Sequence, residues 1–153
     1  MKDTFKISIS PEEIEVLPLG AFPGKIQVID NCGFKFMKAV NYLKQQKILG
    51  FDTETRPCFE HRQAHHGVAL LQLSGADRAY LFRVQKTGLK KGLRDVLSNP
   101  DIIKVGAASH DDVRALQKLS HFEEKGFVDL QKIVWEWGIK DKSVKKMSAI
   151  ILG

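Results

Sequence analysis

Cysteine is nearly absent from this chain, with only Cys32 and Cys58 in 153 residues. The two lie far apart and outside any Cys-x-x-Cys arrangement, which argues against a disulfide scaffold or a dithiol redox site. Free thiols in a reducing cytosol are the expectation, with a single Cys32–Cys58 disulfide as the alternative. Long apolar runs are missing as well. No segment approaches the length a bilayer requires, and the stretch Met1 to Glu13 alternates charges with isolated apolar residues, unlike a signal peptide. Proline is sparse, at Pro11, Pro18, Pro23, Pro57 and Pro100, and no repeat, low-complexity tract or linker divides the chain.

What remains is an ordinary globular composition, 43% hydrophobic and 27% charged, long enough for one domain around a single core. Acids are outnumbered by Lys and Arg, 18 against 24, giving a net charge of +6 and an affinity for polyanions. Part of the excess sits at Lys86, Lys90, Lys91 and Arg94, part at Lys140, Lys142, Lys145 and Lys146. By default such runs are solvated helix faces. They gain meaning only beside a site that handles phosphate.

Residues up to about Gly24 read as an N-terminal extension packed on the domain, and residues 25–153 as the domain itself. Ile26 to Ile29 is a short strand. Asn31 to Gln46 is a helix with Asn31 as N-cap, its apolar positions being Phe34, Met37, Ala39, Val40 and Leu43. Ile48 to Thr53 reads as a buried strand. Val68 to Ser74 and Arg78 to Val84, separated by Gly75-Ala76-Asp77, form a β-hairpin. A helix from about Gly88 to Ser98 follows, then a strand at Ile102 to Val105, a helix at His110 to Leu119 and a strand at Gly126 to Val128. Helices at Leu130 to Trp137 and from Ser143 to Leu152 complete the chain. Antiparallel strands followed by strand–helix alternation predict an α/β fold, a mixed sheet flanked by helices.

The segment Ile48-Leu-Gly-Phe-Asp-Thr-Glu-Thr-Arg-Pro57 ends an apolar run with Asp52 and Glu54 one residue apart. Side chains alternate along a strand, so the two carboxylates share a face and repel each other unless a cation joins them. A hard divalent metal with oxygen ligands is the usual occupant. Asp-x-Glu alone is common, arising by chance in about every second chain of this size. A second segment, Lys104-Val-Gly-Ala-Ala-Ser-His-Asp-Asp-Val-Arg-Ala-Leu116, takes a strand through Gly106 into a helix. Ser109-x-x-Asp112 is a capping-box pattern, and acids in a first turn suit the helix dipole. Asp111 lies in line with Arg114 and Lys118, facing solvent, whereas Asp112 lies in line with Leu116 and Leu119, facing the core. An inward acid needs a partner. A metal shared with Asp52 and Glu54 supplies one if the two strands lie side by side.

Together, Gly50-Phe-Asp-Thr-Glu-Thr55 and Lys104-Val-Gly with Asp112 and Leu116 resemble the ribonuclease D and Werner-type branch of the DEDD 3′–5′ exonucleases. Ala69-Leu-Leu-Gln-Leu-Ser74 and Gly126-Phe-Val-Asp-Leu-Gln131 resemble its second and last strands, so the likeness runs from about residue 25 to the end. The resemblance implies a ribonuclease H-like fold and hydrolysis of a DNA or RNA 3′ end by two Mg²⁺ or Mn²⁺ ions. Two such ions, roughly 4 Å apart, activate water and stabilise the leaving oxygen. It further implies that Asp52 bridges both ions, that Glu54 holds the nucleophile-side ion and Asp112 the other, and that Thr53 and Thr55 contact the terminal nucleotide.

The family pattern also has a fourth carboxylate, in a Tyr-x-x-x-Asp or His-x-x-x-x-Asp motif. This chain has neither, because no tyrosine follows Tyr80 and neither His110 nor His121 has an Asp five residues on. Asp129 is the sole substitute, and its place before a helix predicts an N-cap instead. The apolar Ala149-Ile-Ile-Leu152 end calls for cover by a further helix or another subunit. The expectation is therefore a domain lacking its C-terminal part, weakly active or inactive. The alternative is a non-catalytic nucleic-acid-binding relative. Cys58, His61, His65 and His66 match no usual zinc spacing and read as a loop beside the site mouth. Trp135 and Trp137 read as packing residues.

Overall fold

The computed structural model describes residues 4–55 and 67–153. No helix among them is long and apolar enough to cross a membrane. Two compact units are present, residues 23–128 and a second built from residues 1–22 and 129–153.

The larger unit is built on a six-stranded sheet in the order β1-β4-β3-β2-β5-β6. The strands are β1 (Lys25–Ile29), β2 (Ile48–Thr55), β3 (Val68–Ser74), β4 (Arg78–Phe82), β5 (Ile103–Gly106) and β6 (Phe127–Asp129). β3 runs antiparallel to both β2 and β4, whereas β1 is parallel to β4 and β5 is parallel to β2. Four strands therefore bring their carboxyl ends to one edge of the sheet. The mixed sheet anticipated from the sequence is present, and so is the side-by-side placement of the strands that carry the two acidic segments.

Burial in β2 alternates strictly from Ile48 to Thr53, with Leu49, Phe51 and Thr53 inside and Ile48, Gly50 and Asp52 outside. The strand read as buried is thus buried on one face only, the pattern of a sheet with one face packed. Cross-strand partners share a face. Through the register, Leu49, Phe51 and Thr53 sit with Leu71 and Leu73 of β3, Tyr80 and Phe82 of β4, Ile29 of β1 and Lys104 of β5. Helices α2 (Phe34–Lys44), α4 (Lys91–Ser98) and α5 (His110–Leu119) contribute Phe36, Ala39, Val40, Leu43, Leu93, Val96, Leu97, Val113 and Leu116 to the same core. The opposite face carries Ile26, Val28, Ile48 and Ile103, all exposed.

Helix α2 starts two residues later than expected, with its N-cap at Gly33 and not Asn31. Asn31 accepts a 3.0 Å bond from the Gly33 N–H and so makes the turn before the helix, while Gly33 occupies the N-cap with no side-chain bond. The buried row is 36, 39, 40 and 43, leaving Phe34 and Met37 exposed. Two short helices had no periodicity to betray them. These are α1 (Pro11–Glu15), held by a Ser10/Glu13 capping box, and α3 (Val84–Thr87). In the smaller unit, α6 (Leu130–Glu136) and α7 (Val144–Leu152) bury Val134 and Met147. There the Ile9 N–H donates to Asp141 (2.8 Å) and the Lys140 N–H to the Ile7 carbonyl (2.8 Å). Of the two tryptophans read as packing residues, Trp137 meets Phe5 edge-on, while Trp135 is 64% exposed.

Candidate active site

Two parallel strands and one helix start assemble the acidic residues. Asp52 and Glu54 point to the open face near the carboxyl end of β2, and the Thr53 N–H donates to Asp52 Oδ1 at 2.9 Å. The ladder with β3 slips between Glu54 and Thr55, a bulge of the kind that re-aims side chains at a sheet end. Thr55 is exposed beyond it.

On the neighbouring strand Gly106 is required by space. A Cβ there would lie 2.8 Å from the Phe51 carbonyl oxygen and 3.3 Å from Ser109 Cβ. The chain then turns through Ala108 at φ 52°, a left-handed conformation uncommon for a residue with a side chain, and enters α5. Ser109 is buried at the N-cap but makes no side-chain capping bond. The capping-box reading of Asp112 therefore does not hold. Asp112 Oδ1 instead accepts a 2.7 Å hydrogen bond from Thr53 Oγ1, and the carboxylate is half-buried while Asp111 is exposed.

This is a carboxylate pressed against a strand whose other face carries two more. Burial pushes the Asp112 carboxyl above its usual range, and the Asp52 and Asp111 charges act the same way, while the Thr53 bond pulls in the opposite direction. No cation pairs with these acids among the described residues. Among the described residues the ion pairs are Lys6–Glu13, Lys44–Asp95, Lys91–Asp95, Lys125–Glu123 and Lys146–Asp141, none at Asp52, Glu54 or Asp112. An all-oxygen, anionic donor set suits a hard divalent ion such as Mg²⁺ or Mn²⁺. Among the described residues no three His, Cys, Asp or Glu side chains converge as a metal cluster. The reason lies in the alternation of β2: Asp112 meets the strand from the Thr53 side, whereas Asp52 and Glu54 project from the other.

Thr53 was expected to touch a nucleotide; the residue is 8% accessible and its hydroxyl donates to Asp112. The role of Thr53 in holding Asp112 was missed, although the middle residue of Asp-x-Glu must face away from the acids. Lys104 was missed too. It is fully buried, its Nζ donates to the carbonyls of Val96 (3.0 Å) and Asn99 (2.8 Å), and it lies 5.2 Å from the Phe127 ring centroid. A cation at the end of α4 is favoured there by the helix dipole, yet burial still lowers its pKa to about 8. Asp129 is the N-cap of α6, accepting from the Gln131 N–H at 2.9 Å. Cys58, His61, His65 and His66 lie outside the described residues.

The architecture, a ribonuclease H-like α/β fold, recurs in solved structures. The Aedes aegypti Nibbler EXO domain is 22% identical with a TM-score of 0.61, the match covering 72% of this chain and 55% of that one. Trypanosoma brucei RNase D in complex with RNA U12 is 22% identical at TM-score 0.61, covering 78% and 40%. The EXD2 exonuclease domain soaked in Mg and GMP is 21% identical at TM-score 0.62, covering 74% and 59%. The chain thus spans between two fifths and three fifths of these neighbours. No curated protein sequence matches it. The pattern of the 3′-5′ exonuclease family matches residues 27–143, most of the chain. The chain belongs to that family.

Proposed function

We propose that this protein removes nucleotides from a nucleic-acid 3′ end by two-metal hydrolysis, with Asp52, Glu54 and Asp112 as the protein ligands. The observation that carries the reading is Asp112, half-buried and drawn against β2 by Thr53, with like charges around it and no ion-pair partner among the described residues. When bound, Mg²⁺ or Mn²⁺ would supply an activated water and stabilise the leaving oxygen. The residues of the chain do the rest. Asp52 and Glu54 offer carboxylates from a strand whose core side holds them in register, and Thr53 fixes Asp112 through Oδ1, leaving Oδ2 without a hydrogen bond among the described residues. Thr55, exposed beyond the bulge, would contact the terminal nucleotide. RNA bound by the T. brucei neighbour and Mg²⁺ soaked into EXD2 support the substrate class and the metal. Cys32, a free thiol, fits a reducing cytosolic setting.

A second reading, a nucleic-acid-binding relative without chemistry, is favoured by Asp129. The one acid that might replace the fourth carboxylate serves instead as a helix cap. Turnover by this chain should accordingly be slow. The deciding assay follows loss of nucleotides from 5′-labelled single-stranded RNA and DNA in Mn²⁺, comparing the chain with Asp52→Ala. Loss of cleavage by at least about 100-fold in the variant is expected; equal cleavage in both would sink the mechanism. Binding without cleavage in either would favour the second reading.

A further inference from the structure

The carboxyl ends of β1, β4, β2 and β5 share one edge of the sheet, and that edge bears more than acids. Helices α2, α3 and α4 all begin there, since α2 follows β1 while α3 and α4 follow β4. Their starts are tied together. The Arg83 N–H donates to the Ile29 carbonyl at 2.9 Å, and Cys32 Sγ donates to the Thr87 carbonyl at 3.2 Å. Farther along, α2 and α4 pack so closely that a Cβ on Gly92 would stand 2.9 Å from Val40.

Around this rim Lys35, Lys38, Arg83, Lys86 and Lys90 are exposed, and none has an ion-pair partner among the described residues. Lys91, their neighbour, is neutralised by Asp95. Asp30 is the acid in their midst, hydrogen-bonded to the side chain of Asn31. Phe34, at the first turn of α2, is 73% exposed with Lys38 Nζ 5.0 Å from its ring centroid. A solvated helix face would scatter its charges around alternating acids. Here unpaired cations from three elements collect with an exposed ring on the same edge as Asp52 and Glu54. Cations that follow a backbone, interleaved with an aromatic face, are what single-stranded nucleic acid requires.

We propose that Lys35, Lys38, Arg83, Lys86 and Lys90, with Phe34 as a stacking face, form a track for the strand upstream of the scissile linkage. The inference rests on the nuclease reading for the position of the 3′ end. β4 and β1 lie two and three strands from β2, roughly 10 and 14 Å at the usual strand spacing. A stacked strand rising about 3.4 Å per nucleotide covers that in three to four nucleotides. Phosphates of the fourth nucleotide and beyond would meet the α2 and α3–α4 starts, and the contacts are to backbone and ring faces, so they select for single-stranded polyanion and not for sequence.

The test is anisotropy titration of a 5′-fluorescein 12-nucleotide single strand in EDTA, over a range of salt concentrations. Relative to the unaltered chain, Lys35→Ala/Lys86→Ala/Lys90→Ala should bind at least about 10-fold more weakly, with a salt slope smaller by about 2 for three lost phosphate contacts. Phe34→Ala should weaken binding several-fold and leave the slope unchanged. Lys25→Ala/Lys47→Ala/Lys118→Ala removes as much charge toward the amino ends of β1 and β2 and the far end of α5, and should bind within about 2-fold of the unaltered chain at moderate salt. Matching thermal melts establish that each variant is folded. Equal losses in the two lysine triples, or no loss in the first, would overturn the track. Because EDTA removes chemistry from the measurement, the two readings fail separately. A chain that never cleaves yet shows these losses keeps the track, and one that cleaves normally with unchanged binding in the first triple refutes it.

Discussion

At the scale of single residues, two polar side chains buried on the packed face of the sheet define what is unusual here. Thr53 holds Asp112, and Lys104 closes the end of α4. Lys104 gives a pH signature. Its pKa is lowered to about 8 in the fold from an ordinary 10.5. Below about 8 both folded and unfolded chains hold the proton, and the fold bears the full cost of the buried charge. Between 8 and 10.5 the unfolded chain retains a proton that the folded one releases, so stability rises with pH across that window. Urea unfolding at pH 7.5, 8.5 and 9.5 should show this rise, and Lys104→Met should lose it; an identical profile in the variant would exclude Lys104 as its source. Asp52, Glu54 and the inward direction of Asp112 were legible in the sequence, because acid spacing follows from strand and helix periods. The partner of Asp112 was not, since a capping box and a cross-element bond to Thr53 begin from the same Ser-x-x-Asp letters. Lys104 looked like any strand lysine, and nothing local announces that a distant helix end will cover it.

Among elements, the β2–β5 pair is the joint on which the site depends. Gly50 lies opposite Val105, and Gly106 then passes within contact of the Phe51 carbonyl before the left-handed turn at Ala108. Gly106→Ala forces a Cβ against backbone that cannot yield, so it should destabilise the fold by about 1–3 kcal/mol and shift α5, with Asp112, relative to β2. Denaturant unfolding together with loss of Mn²⁺-dependent cleavage would show both effects; full stability with full activity would contradict the close approach. Strand existence and order were readable from apolar runs and from Gly75-Ala76-Asp77 in the hairpin. Helix starts were not. Asn31 could cap a helix or make the turn before one, and Lys90 precedes α4 without any side-chain cap to mark it. The short α3 occupies a single turn, too brief for any period to show.

For the whole molecule, net charge and site charge oppose each other: a chain of +6 keeps Asp52, Glu54 and Asp112, without ion pairs among the described residues, at the edge where cations also gather. Such an arrangement is stabilised by whatever neutralises the acids. Mn²⁺ at ten times its Kd should raise the melting temperature by about 3–6 °C, and Asp52→Asn should abolish the rise. An equal rise in both proteins would place the ion elsewhere. The alternation of β2 has a last consequence, for errors in assembly. If the strand paired one residue out of step, Asp52 and Glu54 would turn inward while Leu49 and Phe51 met water. Each misplaced apolar side chain costs about 1.5–3 kcal/mol, and the two interred carboxylates cost more. Misregistered molecules are thus expelled by the hydrophobic pattern itself, so Asp52 and Glu54 inherit their placement from leucine and phenylalanine on the opposite face of the strand.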